Sequence, residues 1–269
     1  MSLVDVLKLV YFRLREFHPE TKRIRAQESV KRNQISEMNQ VVLGSLFGEE
    51  LPAILEGPFK GMHYLDEAYG SQLLPKILGT YELPIQSWIQ EINRGDYAAI
   101  IDVGCAEGFY AVGFAVENPK AEIFAFDVNE KALIVARQLA QKNDVEERVK
   151  FHVNFDEHSL KGILSRHNGS RTFIFMDVEG AEEHLLNPTV NPAVLNCDVL
   201  VELHDCFKPG ITEKIIDYFH RSHKVEIIVD YDGRQKASSL NYFDISEPDW
   251  RFCTDESRPA KMRWLRALR

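Results

Sequence analysis

The run Ile100-Ile101-Asp102-Val103-Gly104-Cys105-Ala106-Glu107-Gly108 constrains the fold of this chain more than any other stretch. Apolar residues close on an acid, small residues follow, and apolar residues resume at Phe109; a second apolar run then ends in Asp127. That order reads as strand, tight turn, helix and strand, the unit from which a parallel sheet covered by helices is built. From Tyr97 onward the pattern repeats. Strands are expected at Ala98–Val103, Glu122–Asp127, Val149–Val153, Thr172–Met176, Asp198–Leu203, Val225–Val229 and Met262–Leu268. Helices are expected from Phe109 to before Pro119, over Glu130–Lys142 with Asn129 as its cap, and over Thr212–Arg221. The fold class is therefore α/β, a doubly wound and mostly parallel sheet.

The turn also has the chemistry of a ligand cradle. Small residues let a ligand approach the backbone closely, and a helix start offers unpaired amides. The second acid, Asp127, stands where such folds hold a ribose. No G-x-G-x-x-G spacing is present, since Ala106 lies between Gly104 and Gly108, so a dinucleotide is not the expected ligand. Asp102, Gly104, Ala106, Gly108 and Asp127 together resemble the first two motifs of the class I S-adenosylmethionine-dependent methyltransferases, with a Rossmann-like fold. The resemblance implies that, after the third strand, Phe155 stacks on the adenine while Asn154 or Asp156 accepts from its exocyclic amine. It also implies a cofactor contact from the segment before the first strand, with Lys76 meeting the methionine carboxylate and Tyr81 or Glu82 nearby.

Ligands of open α/β sheets bind at the carboxyl ends of the strands. The fourth strand ends in Asp177-Val178-Glu179-Gly180-Ala181-Glu182 and the fifth in Glu202-Leu203-His204-Asp205. These two motifs, in this order after the Gly104 loop, resemble the FkbM-type branch over roughly residues 97–221. That branch is mostly assigned to O-methylation of hydroxyls on sugars and natural products, so the resemblance implies a small-molecule or glycan hydroxyl as acceptor. A hydroxyl must be aligned with the sulfur–methyl bond and relieved of its proton. His204 is the expected general base, oriented by Asp177 or Glu179. In an alternative, Asp177, Glu202 and Asp205 hold a divalent metal such as magnesium, a less favoured reading because strand-end acids are common without one. Glu202 would otherwise pair with an arginine. N-methylation is a second reading, against which stands the absence of an Asn-Pro-Pro-Tyr-like motif after the fourth strand. A non-catalytic cofactor-binding module is a third.

With 32 basic and 41 acidic side chains the formal charge is −9, which opposes attraction to nucleic acid. Four cysteines without CxxC spacing suit a reduced, cytoplasmic setting. The stretch Val4 to Leu14 is interrupted by Asp5, Lys8 and Arg13, and lacks both a secretory core and a membrane span.

Two regions are expected: residues 1–90, a helical appendage and lid segment, and residues 91–269, the cofactor-binding domain. Val4, Leu7, Val10, Leu14 and Phe17 fall at helical spacing, a face suited to packing on the main domain or on a second copy of the chain. A long insertion, Tyr231–Asp255, carries Tyr242, Trp250 and Phe252, aromatic faces of a kind that suit sugar rings.

Overall fold

The computed structural model describes residues 37, 39–48, 50, 52–66, 68–69, 71–230, 253–256, 258 and 260–269. The amphipathic pattern Val4–Phe17 and the aromatics Tyr242, Trp250 and Phe252 lie outside the described residues.

Among the described residues, seven strands form one sheet: β1 (Ala99–Val103), β2 (Glu122–Phe126), β3 (Val149–His152), β4 (Thr172–Met176), β5 (Asp198–Leu203), β6 (Lys224–Val229) and β7 (Arg263–Leu268). Their spatial order is β3-β2-β1-β4-β5-β7-β6. The pairs among β1 to β5 are parallel, and β7 runs antiparallel to both β5 and β6. The order reverses between β1 and β4. Two connections therefore diverge there and leave a crevice at the strand ends, the place where this architecture takes a ligand.

The central strands are apolar on both faces because helices cover both. Side chains alternate cleanly between two cores. Ile100, Ile123, Ala125, Phe173, Phe175, Leu200 and Trp264 face one core; Ala99, Ile101, Val103, Phe124, Phe126, Ile174, Met176, Val199 and Val201 face the other. The same alternation carries Asp102 and Glu202 onto the first face, in line with Ile100 and Leu200. That face is covered by the helices Phe109–Glu117 and Glu130–Lys142 and, beyond them, by the segment ahead of β1.

The segment ahead of β1 is woven into that core. Ile54, Phe59, Met62, Tyr64, Leu74, Ile77, Leu78, Ile85 and Ile89 join the same apolar cluster as β1 and the helix Phe109–Glu117. Phe59 is its keystone, meeting Phe109, Tyr110 and Phe114 edge-on at centroid distances of 5.3, 5.7 and 5.6 Å. A side chain of this kind contributes about 1.5–3 kcal/mol by burial alone. Gly113 makes room for it, since a Cβ there would come within 2.6 Å of the Phe59 ring.

Helix ends follow the sequence closely. Asn129 caps Glu130–Lys142 by accepting from the Lys131 amide. A helix over Glu157–Arg166, which the apolar periodicity did not single out, starts with a capping box: Asp156 Oδ1 accepts from the Ser159 amide while Ser159 Oγ accepts from the Asp156 amide. Among the described residues no helix is long and apolar enough to cross a membrane.

Candidate active site

The loop after β1 is held in a conformation few residues adopt. Gly104, Ala106 and Gly108 have φ of +85°, +46° and +91°. Gly104 is obligatory: a Cβ there would sit 1.8 Å from the Asp177 carbonyl oxygen. This contact places the first loop directly against the end of β4. The Gly104 and Cys105 amides both donate to Phe126 O, at 2.8 and 3.0 Å. Asp127 then bridges two turns, its Oδ2 accepting from the Ala106 amide at 2.8 Å and its Oδ1 from the Asn129 amide at 2.7 Å.

Asp102 lies beneath the loop, 1% exposed, with neither carboxylate oxygen in a fully formed hydrogen bond. Desolvation raises its pKa well above the usual carboxylate range, opposed by the backbone amide of Ala111 at the start of the next helix. An unsatisfied buried carboxylate costs free energy unless a cationic or donor group reaches it. The loop conformation, the two oriented acids and the backbone contact at Gly104 together fit an S-adenosylmethionine molecule, whose ammonium and ribose hydroxyls are donors.

The other expected cofactor residues are distributed as follows. Lys76 is buried and its ammonium pairs with Glu107, over the rings of Tyr81 at 4.8 Å and Phe109 at 5.1 Å. Glu107 also accepts from Tyr64 Oη at 2.6 Å and from the Tyr69 amide at 3.0 Å. Lys76 and Tyr81 thus bear on the loop through Glu107 and Phe109. Phe155 is buried edge-on against Phe126 at 5.3 Å, whereas Asn154 is exposed.

The ends of β4 and β5 converge. His204 Nδ1 lies 2.6 Å from Glu182 Oε1, while Nε2 faces Asp177 Oδ1 and Glu202 Oε2, each at 3.6 Å. The imidazole stacks on Phe207, centroids 5.6 Å apart with planes within 8°. Its orienting carboxylate is Glu182, fully buried, whereas Glu179 is exposed on a left-handed backbone with φ +49°. Of the expected partners of His204, Asp177 faces Nε2 and Glu179 does not reach the ring; the turn at Gly180, φ +103°, carries Glu182 inward onto Nδ1, where its Oε1 also accepts the Gly180 amide.

Asp177, Glu202 and His204 offer ligand atoms within 4.8 Å of one another. Asp205, expected to join them, is turned away. It accepts from the Gly210 and Thr212 amides at 3.2 Å and from the Thr212 hydroxyl, holding the start of the helix Ile211–Phe219. A divalent cation would thus take His204, and the set with Asp205 is not assembled.

Charge is concentrated here. Burial pulls the His204 pKa down, but the Glu182 hydrogen bond and the charges of Glu202 and Asp177 outweigh it and hold it at about 10. Desolvation raises Glu202 and Asp177, with Arg258 and His204 opposing. Arg258, which the sequence reading did not name, lies against Glu202 and Glu82, and Glu82 is raised to about 7, chiefly by burial. Glu182, Glu107 and Arg258 were hidden because their roles depend on which way a side chain turns.

Residues 95–218 match a family model described as "Methyltransferase domain". Over 60 residues the chain is 38% identical to the release factor glutamine methyltransferase of Chlorobaculum tepidum, a stretch that is 22% of this chain and 20% of that enzyme. The chain therefore spans about a fifth of the length of that relative. Among solved structures, human methyltransferase 10 domain containing protein is similar at a TM-score of 0.47 and 12% identity, covering 88% of this chain and 97% of its own. An O-methyltransferase from Bacillus cereus in complex with SAH is similar at a TM-score of 0.43 and 11% identity, covering 66% of this chain and 77% of its own. The domain match over residues 95–218, together with the sheet order and the loop, is that of the Rossmann-like fold found in S-adenosylmethionine-dependent methyltransferases.

Proposed function

We propose that this enzyme moves the methyl group of S-adenosylmethionine to a hydroxyl oxygen of a small molecule or glycan. The observation that supports the reading best is the convergence of Asp177, Glu202 and His204 beside the Gly104 loop, at the crevice end of the sheet. The cofactor supplies an electrophilic methyl on a sulfonium. Asp102, Gly104, Ala106, Gly108 and Asp127 hold it, Asn154 and Phe155 border the adenine, and Lys76 and Tyr81 brace the loop through Glu107 and Phe109. Asp102 takes the cofactor ammonium and Asp127 the ribose hydroxyls.

On the acceptor side the work is to orient a hydroxyl and receive its proton. His204 is cationic near neutral pH in the geometry described, so the general-base role expected for it passes to a carboxylate. Asp177 is the reachable one, with 29% of its side chain exposed, and desolvation makes it a stronger base than a carboxylate in water. His204, fixed by Glu182, stabilises negative charge developing on the acceptor oxygen. Glu179 stands at the rim, close enough for its charge to raise the Asp177 pKa.

The similarity to a release factor glutamine methyltransferase supports a second reading, transfer to nitrogen. Both are tested by incubating the enzyme with isotopically labelled S-adenosylmethionine and parallel panels of polyols, glycosides, amines and glutamine peptides, with mass spectrometry locating the label. Methylated oxygen, lost in Asp177→Asn, is the expected result. Label on nitrogen alone would replace the first reading by the second.

A further inference from the structure

Arg258 enters the acceptor side from the segment just before β7 and binds in three directions. One terminal nitrogen donates to Glu202 Oε1, the other to Glu82 Oε1 at 2.9 Å, and Nε donates to Glu256 Oε2 at 2.8 Å. Nε also lies 3.9 Å from Asp230 Oδ2, at the end of β6. The three nearest carboxylates are buried, at 1% for Glu82, 3% for Glu202 and 6% for Glu256. Glu82 is in turn held by the Tyr110 hydroxyl on its Oε2, and its amide donates to Glu256 Oε1 at 2.9 Å. It adopts a left-handed φ of +49°, a conformation that persists only where its surroundings fix it.

Direct contacts thus run from Tyr110, in the first turn of the helix that leaves the cofactor loop, through Glu82, Arg258 and Glu202 to His204. A guanidinium presents its donors in a rigid planar fork, whereas an ammonium is a point charge. One arm of the fork holds Glu202 Oε1 while the other is held by Glu82, and Oε2 of Glu202 is the oxygen that faces His204 Nε2.

We infer that Arg258 is a positioning residue of the acceptor site: its fork fixes the Glu202 carboxylate against His204, conditional on the Glu82 turn beside it. This inference rests on the reading of Asp177, Glu202 and His204 as the acceptor cluster. It assigns the segment directly after the Tyr231–Asp255 insertion, which carries Glu256 and Arg258, a contact with the acceptor cluster. A purely structural clasp would need the positive charge but not the fork.

The test uses the full chain labelled with nitrogen-15 histidine, with the His204 ring signals identified as those missing from His204→Gln. Glu202→Gln supplies the signature of an imidazole without its aimed carboxylate. Both Arg258→Lys and Arg258→Met are expected to move the His204 nitrogens toward that signature, while affinity for S-adenosylhomocysteine stays within about threefold of the unaltered protein. Arg258→Lys leaving His204 unmoved would overturn the inference, because charge alone would then suffice. Should either Arg258 variant fail to fold, Glu82→Gln, which keeps the guanidinium, is expected to shift His204 in the same direction, and no shift would overturn it. Failure of the unaltered protein to bind S-adenosylhomocysteine would sink the methyltransferase reading, yet leave the His204 signals still reporting on Arg258.

Discussion

A histidine held at a pKa of about 10 inside a ring of carboxylates makes the stability of this protein depend on pH in a definite direction. Its folded value lies above the ordinary value of about 6.5, so the native state binds the proton more tightly than the unfolded chain. The contribution is complete below the unfolded pKa and is lost as pH rises through about 10. Glu82, raised to about 7, acts in the same sense over a lower window, because ionising it costs the folded state more than the unfolded chain. Melting temperature should therefore fall as pH rises from about 5 to 10, and His204→Gln should flatten the upper part of that decline. An identical slope in the variant would show that His204 is not the group responsible. Gly104→Ala is the sharpest single-residue test of the loop: the added Cβ collides with the Asp177 carbonyl, so affinity for S-adenosylhomocysteine should drop below detection in calorimetry. The sequence displayed the acids and glycines of this site but not their pairings. Asp177, Glu179 and Glu182 all lie in one motif; Asp177 and Glu182 reach opposite nitrogens of His204, and it is the turn at Gly180 that brings in Glu182.

At the scale of elements, the strands were legible because each is a short apolar run bounded by turn residues, of the length of a parallel strand buried on both faces and too short for a buried helix. Boundaries agree to within a residue or two: β1 starts at Ala99 where Ala98 was expected, and the last helix ends at Phe219 where Arg221 was. The helix Glu157–Arg166 escaped notice because only Leu160 and Ile163 of it are buried, too few for a visible stripe. Its capping box is the signal that was available. Removing that cap with Asp156→Ala should cost about 1 kcal/mol, readable as a shift in urea midpoint. The segment ahead of β1 was harder, since Ile54, Phe59 and Met62 follow neither helical nor strand periodicity and find their partners only in the tertiary fold. Phe59→Ala should cost about 3–5 kcal/mol. A loss below about 1 kcal/mol would mean that this segment packs loosely and does not share the core of the sheet.

For the whole molecule, the sheet order brings the Gly104 loop, the ends of β4 and β5 and the Arg258 segment to one end of the fold. Reversal of the order between β1 and β4 opens the crevice, and the segment ahead of β1 walls the face on which Asp102 and Glu202 lie. Donor and acceptor sides then meet at Gly104 and Asp177, whose backbones touch. Acceptor identity was not legible in the sequence, because stretches such as Tyr231–Asp255 carry no periodic pattern from which the placement of their side chains could be read. The claim that this arrangement is built around S-adenosylmethionine is tested most directly by calorimetric titration with S-adenosylhomocysteine, beside NAD and an Asp127→Ala variant. The account predicts micromolar binding of S-adenosylhomocysteine, no binding of NAD, and loss of affinity in the variant. Absence of binding in the unaltered protein, or NAD binding in its place, would contradict it.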